Sequence, residues 1–223
     1  MKSRDRGRKS LWSVASRSVA CCLLLQLVTP AQAFDNWLSL RDAGVVRQER
    51  DFSCGAAALA TVLTHYYGEP VSEAALLEQL LRERVNTGDT KVQQQALSFA
   101  DLAMLAGSRH YPSMGLAVAF EDLKKLKLPV IVALVIEGRG HFSVLRRVDS
   151  DDRVFLADPS WGNRQLGKQA FLRSFSTPGT SAQGRILIIG SKRDSKNGSK
   201  SGSGGDERFR HRTPRRALMA PGV

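Results

Sequence analysis

The chain has 223 residues, of which 42% are hydrophobic, so it can bury one core of ordinary size, and no internal repeat indicates an array of small modules. The formal charge of +12 suggests nucleic-acid binding until the charges are mapped along the chain. Residues 34–190 carry 18 basic and 17 acidic side chains, so the expected folded part has no phosphate-binding excess and we expect no nucleic-acid partner.

The first 33 residues have the composition of an export signal. Six basic residues precede the apolar run VACCLLLQLV, and Ala31-Gln32-Ala33 has the small-residue pattern that signal peptidase cleaves. The apolar run is shorter than the roughly 20 residues that a transmembrane helix needs. We therefore expect residues 1–33 to be a cleaved signal peptide, with an uncut membrane anchor as the alternative.

Cleavage after Ala33 has a consequence for the cysteines. Cys21 and Cys22 leave with the signal, and Cys54 becomes the only cysteine of the mature chain. It then has no partner for an intramolecular disulfide. A lone thiol in an exported protein is either buried and inert or retained for its reactivity.

Helix signals fill the first half of the domain that we expect over residues 34–190. The stretch CGAAALATVLTHYYG predicts a helix that begins at Cys54 and stops at Gly68. Ser72 can cap a second helix with an apolar stripe of leucines. At Ser98, SFAD predicts a capping box that opens a third helix.

The periodicity then changes to that of strands. A short helical segment, EDLKKLKL, separates the first two of five predicted strands, which are GLAVAF, PVIVALVI, HFSVLRRV, RVFLAD and RILIIG. Helices followed by strands are typical of an α+β domain with a mainly antiparallel sheet.

Residues 191–223 form a basic tail that is rich in Ser and Gly and has few apolar side chains to bury. Such a composition does not offset the entropy lost on ordering, so we expect the tail to be disordered. It is either simply solvated or in contact with anionic lipid, polysaccharide or an acidic partner.

Four histidines are available to activate Cys54, and three of them are poorly placed. His65 lies eleven residues along the same predicted helix, about 16 Å away at 1.5 Å per residue. His211 is in the tail, and His110 is in the predicted loop SRHYP. His141 remains, at the start of a predicted strand in GRGHFSVL. A neighbouring histidine and a helix N-terminus both favour the reactive thiolate.

A carboxylate is predicted beside this histidine. The loop DSDD joins the strand of His141 to RVFLAD in a register that puts Ser143 opposite Asp158, so His141 lies diagonally next to Asp158 on the same face. An ordinary Asp-Pro turn is the alternative for Asp158. Its cross-strand relation to His141 favours a role in orienting the imidazole.

Acyl transfer also needs hydrogen-bond donors for the developing oxyanion. Gln48 lies six residues before Cys54, and its side-chain amide could join the backbone N–H of Cys54 in that role. A glutamine in a polar run is more commonly just solvated, so this signal is weak when taken alone.

Three motifs, QERDFSCGAAAL from Gln48, GHFSVL around His141 and DPSWG from Asp158, resemble those of the peptidase C39 family in the family's order. These papain-like cysteine peptidases are best known as the leader-removing domains of bacteriocin exporters. The resemblance runs from about Val46 to Gly190. It implies a papain-like α+β fold and no cofactor or metal.

The resemblance also implies a role for each matched residue. Cys54 would be the nucleophile, His141 the general base and then acid, Asp158 the group that holds the imidazole, and Gln48 the oxyanion donor. Exporter-bound members usually have an acidic residue directly before the cysteine, where this chain has Ser53.

The chain resembles the free-standing exported members of the family, including those found beside functional-amyloid secretion systems in Gram-negative bacteria. We expect a periplasmic endopeptidase that cuts an exported precursor, such as a functional amyloid or a bacteriocin-like protein, after Gly-Gly. Trp161 and Phe142 are candidate walls of a narrow cleft, or core residues. The alternatives are a non-catalytic module that binds a leader peptide or fibril subunit, and an amidase that acts on cell-wall peptides.

Overall fold

A computed structural model gives the fold over four stretches of the chain. These are residues 37–86, 97–175, 183–192 and 207–211. The predicted signal peptide and most of the predicted tail lie outside them. No helix in the four stretches combines the length and apolar character needed to cross a membrane.

The helices of the first half agree with the sequence pattern. The helical elements are α1 (Trp37–Asp42), α2 (Cys54–Thr61), a π-helical turn (Val62–Tyr66), α3 (Glu73–Asn86), α4 (Phe99–Ser108), α5 (Phe120–Leu123), α6 (Lys168–Phe175) and α7 (Glu207–His211). The helix predicted from Cys54 is present, but its last turn widens, because the N–H of Tyr67 bonds to the carbonyl of Val62. The capping box at Ser98 is confirmed.

The described strands form one antiparallel sheet. They are β1 (Ser113–Ala119), β2 (Val130–Ile136), β3 (Arg139–Val148), β4 (Arg153–Asp158), β5 (Gly162–Gly167) and β6 (Gln183–Ile189). Their order across the sheet is β1-β6-β2-β3-β4-β5. The predicted α+β class is thereby confirmed. The sequence patterns did not predict α1, β5 or α6. For β5 the reason is that GNRQLG shows no alternation of apolar and polar residues.

The predicted register between β3 and β4 is correct at the end of the pair that carries His141 and Asp158. It is wrong by one residue next to the turn. Val144 pairs with Ala157, as the predicted register requires. Beyond Leu145 the register shifts by one residue. The shift is a β-bulge at Arg146, whose buried side chain donates to the carbonyls of Ala43 and Gly44.

Two hydrophobic clusters cover the two faces of the sheet. On one face α2, α3 and α4 pack against residues such as Val144 and Ala157, and on the other α6 packs against neighbours such as Leu145 and Leu156. Every residue of α2 is buried. Because α2 is rich in alanine, it approaches the sheet closely and brings Cys54 against β3.

Within the tail over 191–223, for which the sequence predicts disorder, residues Glu207–His211 form α7. Phe209 of α7 is buried, with the guanidinium of Arg146 4.4 Å from its ring centroid and the ring of His65 stacked 6.5 Å away. The physical reason is that one aromatic side chain, Phe209, packs against apolar neighbours and a guanidinium. The mean composition of the segment, which is polar, does not indicate this contact.

Candidate active site

Cys54 begins α2 and is mostly covered by protein. Its exposed fraction is 6%, and the backbone N–H of Phe142 donates to its sulfur over 3.4 Å. The preceding residue, Ser53, makes no side-chain cap to the helix. The backbone N–H of Cys54 lies in the first turn of α2, where an α-helix leaves its own N–H groups without partners inside the helix.

His141 lies between Cys54 and Asp158. Its Nε2 is 3.2 and 3.1 Å from the two carboxylate oxygens of Asp158. The thiol of Cys54 is close enough to act on the pKa of the imidazole. The side chain of Asp158 is fully buried, and 10% of that of His141 is exposed. The structure thus brings together these three predicted site residues from α2, β3 and β4.

The electrostatics of this cluster favour a protonated imidazole. Burial alone would lower the pKa of His141, but the hydrogen bonds to Asp158 and then to Cys54, with the charges of both groups, outweigh burial and raise that pKa from 6.5 to about 9. An imidazolium next to a sulfur favours the thiolate. At neutral pH the cluster therefore holds a protonated imidazole beside the sulfur of Cys54.

The turn after β4 holds the carboxylate of Asp158 in place. The backbone N–H groups of Ser160 and Trp161 donate to its Oδ1 over 2.9 and 3.1 Å. The turn ends at Gly162, whose φ of +80° favours glycine. A Cβ on Gly162 would meet the carbonyl of Arg41 at 2.6 Å, which explains the glycine of the DPSWG motif.

Trp161 covers the outer side of the imidazole. Its ring meets that of His141 edge to face, with 5.3 Å between centroids, and 45% of Trp161 is exposed. The guanidinium of Arg164 lies 4.6 Å from the centroid of the same indole. Phe142, the other predicted wall, packs in the core against Phe99.

Gln48 links the turn after β4 to the start of α2. Its backbone N–H donates to Pro159, its Oε1 accepts from the hydroxyl of Ser160 at 2.8 Å, and its Nε2 donates to the carbonyl of Arg50 at 3.0 Å. The same carbonyl of Arg50 accepts from the backbone of Ser53. All four predicted site residues therefore belong to one hydrogen-bonded cluster.

Sequence reasoning missed two residues of this cluster. Ser160 was quoted only as a letter of a motif. Glu73, in the first turn of α3, had no predicted role; it is buried, and its Oε2 accepts from the backbone N–H of Glu49 at 2.9 Å. No local sequence pattern predicts that this carboxylate is buried. The four described stretches contain no group of three or more His, Cys, Asp and Glu side chains that could hold a metal ion.

Comparisons with known proteins identify the family of this chain. Residues 42–180 match the sequence model of the peptidase C39 family. The chain is 33% identical over 177 residues to a probable functional amyloid protease FapD of Pseudomonas fluorescens, which covers 72% of this chain and 76% of the relative. It is 34% identical over 136 residues to the FapD of Pseudomonas aeruginosa, and there the match spans 61% of this chain and 58% of the relative.

Two solved structures share the fold. One is the peptidase domain of Streptococcus ComA, a bifunctional ABC transporter involved in quorum sensing, with a TM-score of 0.53, 20% identity, and coverage of 66% of this chain and 96% of that domain. The other is a double-glycine-motif protease from an AMS/PCAT transporter in complex with the leader peptide, with a TM-score of 0.50, 26% identity, and coverage of 65% and 89%. The chain thus belongs to the peptidase C39 family of cysteine peptidases.

Proposed function

We propose that this peptidase is exported to the periplasm and cleaves the precursor of a functional amyloid after a Gly-Gly pair. The export signal predicted in residues 1–33 supports the location. Similarity to proteins named as probable functional amyloid proteases supports the substrate system, and similarity to a double-glycine-motif protease supports the cleavage site. The observation that carries the proposal is the arrangement of Cys54, His141 and Asp158. The imidazole of His141 contacts the buried carboxylate of Asp158, and the N–H of the next residue donates to the sulfur of Cys54.

In the proposed acylation step, Cys54 is the nucleophile and His141 the acid. With a pKa of about 9, His141 holds its proton at neutral pH and Cys54 supplies a thiolate that attacks the scissile carbonyl carbon. A carbon–sulfur bond forms, and the carbonyl oxygen takes up negative charge. The imidazolium then donates its proton to the leaving nitrogen, and the peptide bond breaks to give an acyl-enzyme and a free amine.

Two N–H donors serve the oxyanion in this proposal. One is the backbone N–H of Cys54 at the start of α2, and the other is the side-chain amide of Gln48. In the second step His141 acts as a base and removes a proton from water, which attacks the thioester. The carbon–sulfur bond breaks, the acid product leaves, and the thiolate of Cys54 is restored beside an imidazolium that now carries the proton taken from water. Asp158 keeps the imidazole oriented through both steps.

The position of Trp161 supports the preference for glycine. Its half-exposed indole stands next to His141, so it borders the space in which the scissile bond must lie. Glycine offers no Cβ to contact such a wall and allows backbone to approach closely. A substitution of Trp161 by Ala should therefore relax the preference for Gly-Gly more than it lowers the rate for the best peptide.

The proposal is tested by mass spectrometry of candidate precursors that are co-expressed with the peptidase. Wild-type protein should release a fragment that ends in Gly-Gly, and Cys54→Ala should release none while remaining folded. Release of the same fragment by Cys54→Ala would refute the proposal. If Cys54→Ala retained the biological effect without any cleavage, the chain would act as a binding module. Cleavage of cell-wall peptides in place of proteins would identify an amidase.

A further inference from the structure

We propose that Ser160 is a positioning residue whose hydroxyl fixes the side-chain amide of Gln48 in the orientation that an oxyanion donor requires. The inference rests on the proposed function, since it assigns Ser160 a part in the same reaction. It concerns a residue that contacts both the orienting carboxylate and the proposed oxyanion donor.

Ser160 connects the two parts of the site through different atoms. Its backbone N–H donates to Oδ1 of Asp158 over 2.9 Å, and its hydroxyl donates to Oε1 of Gln48 over 2.8 Å. Its carbonyl accepts from the guanidinium of Arg47. The side chain of Ser160 can therefore be removed without removing the backbone contact to Asp158.

The amide of Gln48 has two unlike ends, and only one of them suits an oxyanion. Its NH2 group donates and its carbonyl oxygen only accepts. The carbonyl of Arg50 accepts only, so it requires the NH2 end of Gln48, 3.0 Å away. The hydroxyl of Ser160 donates to the carbonyl oxygen of the amide, Oε1. One N–H of Nε2 donates to Arg50, and the other N–H can donate to the substrate. A half-turn of the amide would present an oxygen to the oxyanion and repel it.

The main chain around Gln48 is held by other groups. Its backbone N–H donates to the carbonyl of Pro159 over 3.1 Å, and the next N–H, of Glu49, donates to the buried carboxylate of Glu73 over 2.9 Å. These bonds do not involve the Ser160 hydroxyl. Loss of that hydroxyl should therefore leave the amide held by the carbonyl of Arg50 alone, so that its orientation becomes less restricted while the loop keeps its place.

The test is a double-mutant cycle on the full chain with Ser160→Ala, Gln48→Ala and the double variant. The measured quantities are kcat and KM for a synthetic Gly-Gly peptide. We expect Ser160→Ala to lower kcat about tenfold with KM little changed, because the lost interaction acts in the transition state. Ser160→Thr keeps a hydroxyl and should restore most of kcat. Ser150→Ala, in the exposed loop between β3 and β4, is the matched control and should leave kcat unchanged.

In the Gln48→Ala background, removal of the Ser160 hydroxyl should cause no further loss of kcat. An equal loss in both backgrounds would overturn the inference, since Ser160 would then act independently of Gln48. Wild-type kcat in Ser160→Ala would overturn it as well.

The pH profile of Cys54 alkylation by iodoacetamide separates positioning from general damage. It should be unchanged in Ser160→Ala, because the backbone N–H to Asp158 remains. A shifted profile would show that the variant disturbs Asp158 and His141, which would overturn the inference. If Gln48→Ala itself kept wild-type kcat while Cys54→Ala abolished cleavage, the oxyanion role of Gln48 would fail, and the inference with it. If Cys54→Ala still cleaved, the proposed function itself would fail.

Discussion

The backbone N–H of Phe142 points at the sulfur of Cys54, with 3.4 Å between nitrogen and sulfur. Phe142 directly follows His141, so the start of one strand supplies two groups to the same sulfur: an imidazole and an N–H donor. Hydrogen bonds to a charged acceptor are stronger than those to a neutral one, so this N–H and an imidazolium both favour the thiolate. The low exposure of Cys54 therefore does not indicate an inert thiol.

The first prediction concerns the reactivity of this thiol. At pH 6 only a small fraction of an ordinary cysteine is thiolate, since its usual pKa is about 8.5. We expect iodoacetamide to label Cys54 at pH 6 at least about tenfold faster than free cysteine, because a protonated His141 beside the sulfur stabilises the thiolate that reacts. His141→Ala should reduce the labelling rate to that of an ordinary thiol. Faster labelling of the unfolded than of the folded chain would instead identify a buried, unreactive cysteine.

The second prediction concerns pH and Asp158. Because the pKa of His141 is raised to about 9, kcat/KM should fall on the alkaline side with an apparent pKa near that value, where the proton donor is lost. In Asp158→Asn the carboxylate that raises this pKa is gone and burial still lowers it. The alkaline limb should therefore move to lower pH, and kcat should fall. An unchanged limb in Asp158→Asn would show that another group controls it.

The same raised pKa makes a prediction about stability. The folded chain binds the proton of His141 more tightly than the unfolded chain, whose histidine has a pKa of about 6.5. The resulting stabilisation is fully present below pH 6.5 and is lost as the pH rises towards 9. Urea unfolding at pH 6 and at pH 9.5 should show the loss in wild-type protein and a smaller loss in His141→Ala.

The fourth prediction concerns Gly55, which follows the cysteine. A Cβ on Gly55 would lie 3.0 Å from the ring of Phe142 and 3.3 Å from Leu102. Overpacking of this kind typically costs about 1–3 kcal/mol. Gly55→Ala should therefore lower the free energy of unfolding by that amount, and it should lower kcat as well, because a displaced Phe142 moves the N–H that contacts the sulfur.

Gly107→Ala is the matched control for this substitution. Gly107 lies in α4, and a Cβ there would have no atom within 4 Å. The change should stabilise the protein by about 0.5–1 kcal/mol, because alanine is the better helix former. Equal stability of the two alanine variants would show that the packing around Gly55 adapts at no cost.

The parts of the site that the sequence predicted are those that local pattern determines. An alanine-rich run after a polar segment places Cys54 at a helix start, and alternation places His141 and Asp158 on paired strands. The predicted register between them holds at the site, but only because the bulge at Arg146 offsets the one-residue shift next to the hairpin loop. These three residues therefore followed from the sequence without coordinates.

What the sequence could not predict depends on contacts between distant segments. At the bulge, the side chain of Arg146 donates hydrogen bonds to the carbonyls of Ala43 and Gly44, which lie some hundred positions earlier in the sequence. The role that we propose for the hydroxyl of Ser160 depends on its hydrogen bond to Gln48, which is more than a hundred residues away in the sequence. The sequence of β5 has no apolar/polar alternation, and no sequence motif indicates that the carboxylate of Glu73 is buried. Such features arise from tertiary packing, which overrides local preference.

The last prediction concerns α7, which lies in the basic tail. Phe209 is buried against Tyr66 and below the guanidinium of Arg146. Phe209→Ala should lower the free energy of unfolding by about 3 kcal/mol, the lower end for loss of a buried aromatic ring. Phe209→Leu, which keeps most of the apolar volume, should cost less. Both effects are measured by urea unfolding of the full chain.

Activity should respond differently from stability. Phe209 contacts His65, Tyr66 and Arg146, and none of these is hydrogen-bonded to Cys54 or His141 through a bond that the structure describes. At a temperature where the variant stays folded, kcat for a Gly-Gly peptide should therefore equal that of wild type, and truncation after Lys192 should give the same result. A loss of kcat in a fully folded Phe209→Ala protein would mean that α7 acts on the site through Arg146, whose guanidinium holds the segment leading to Gln48.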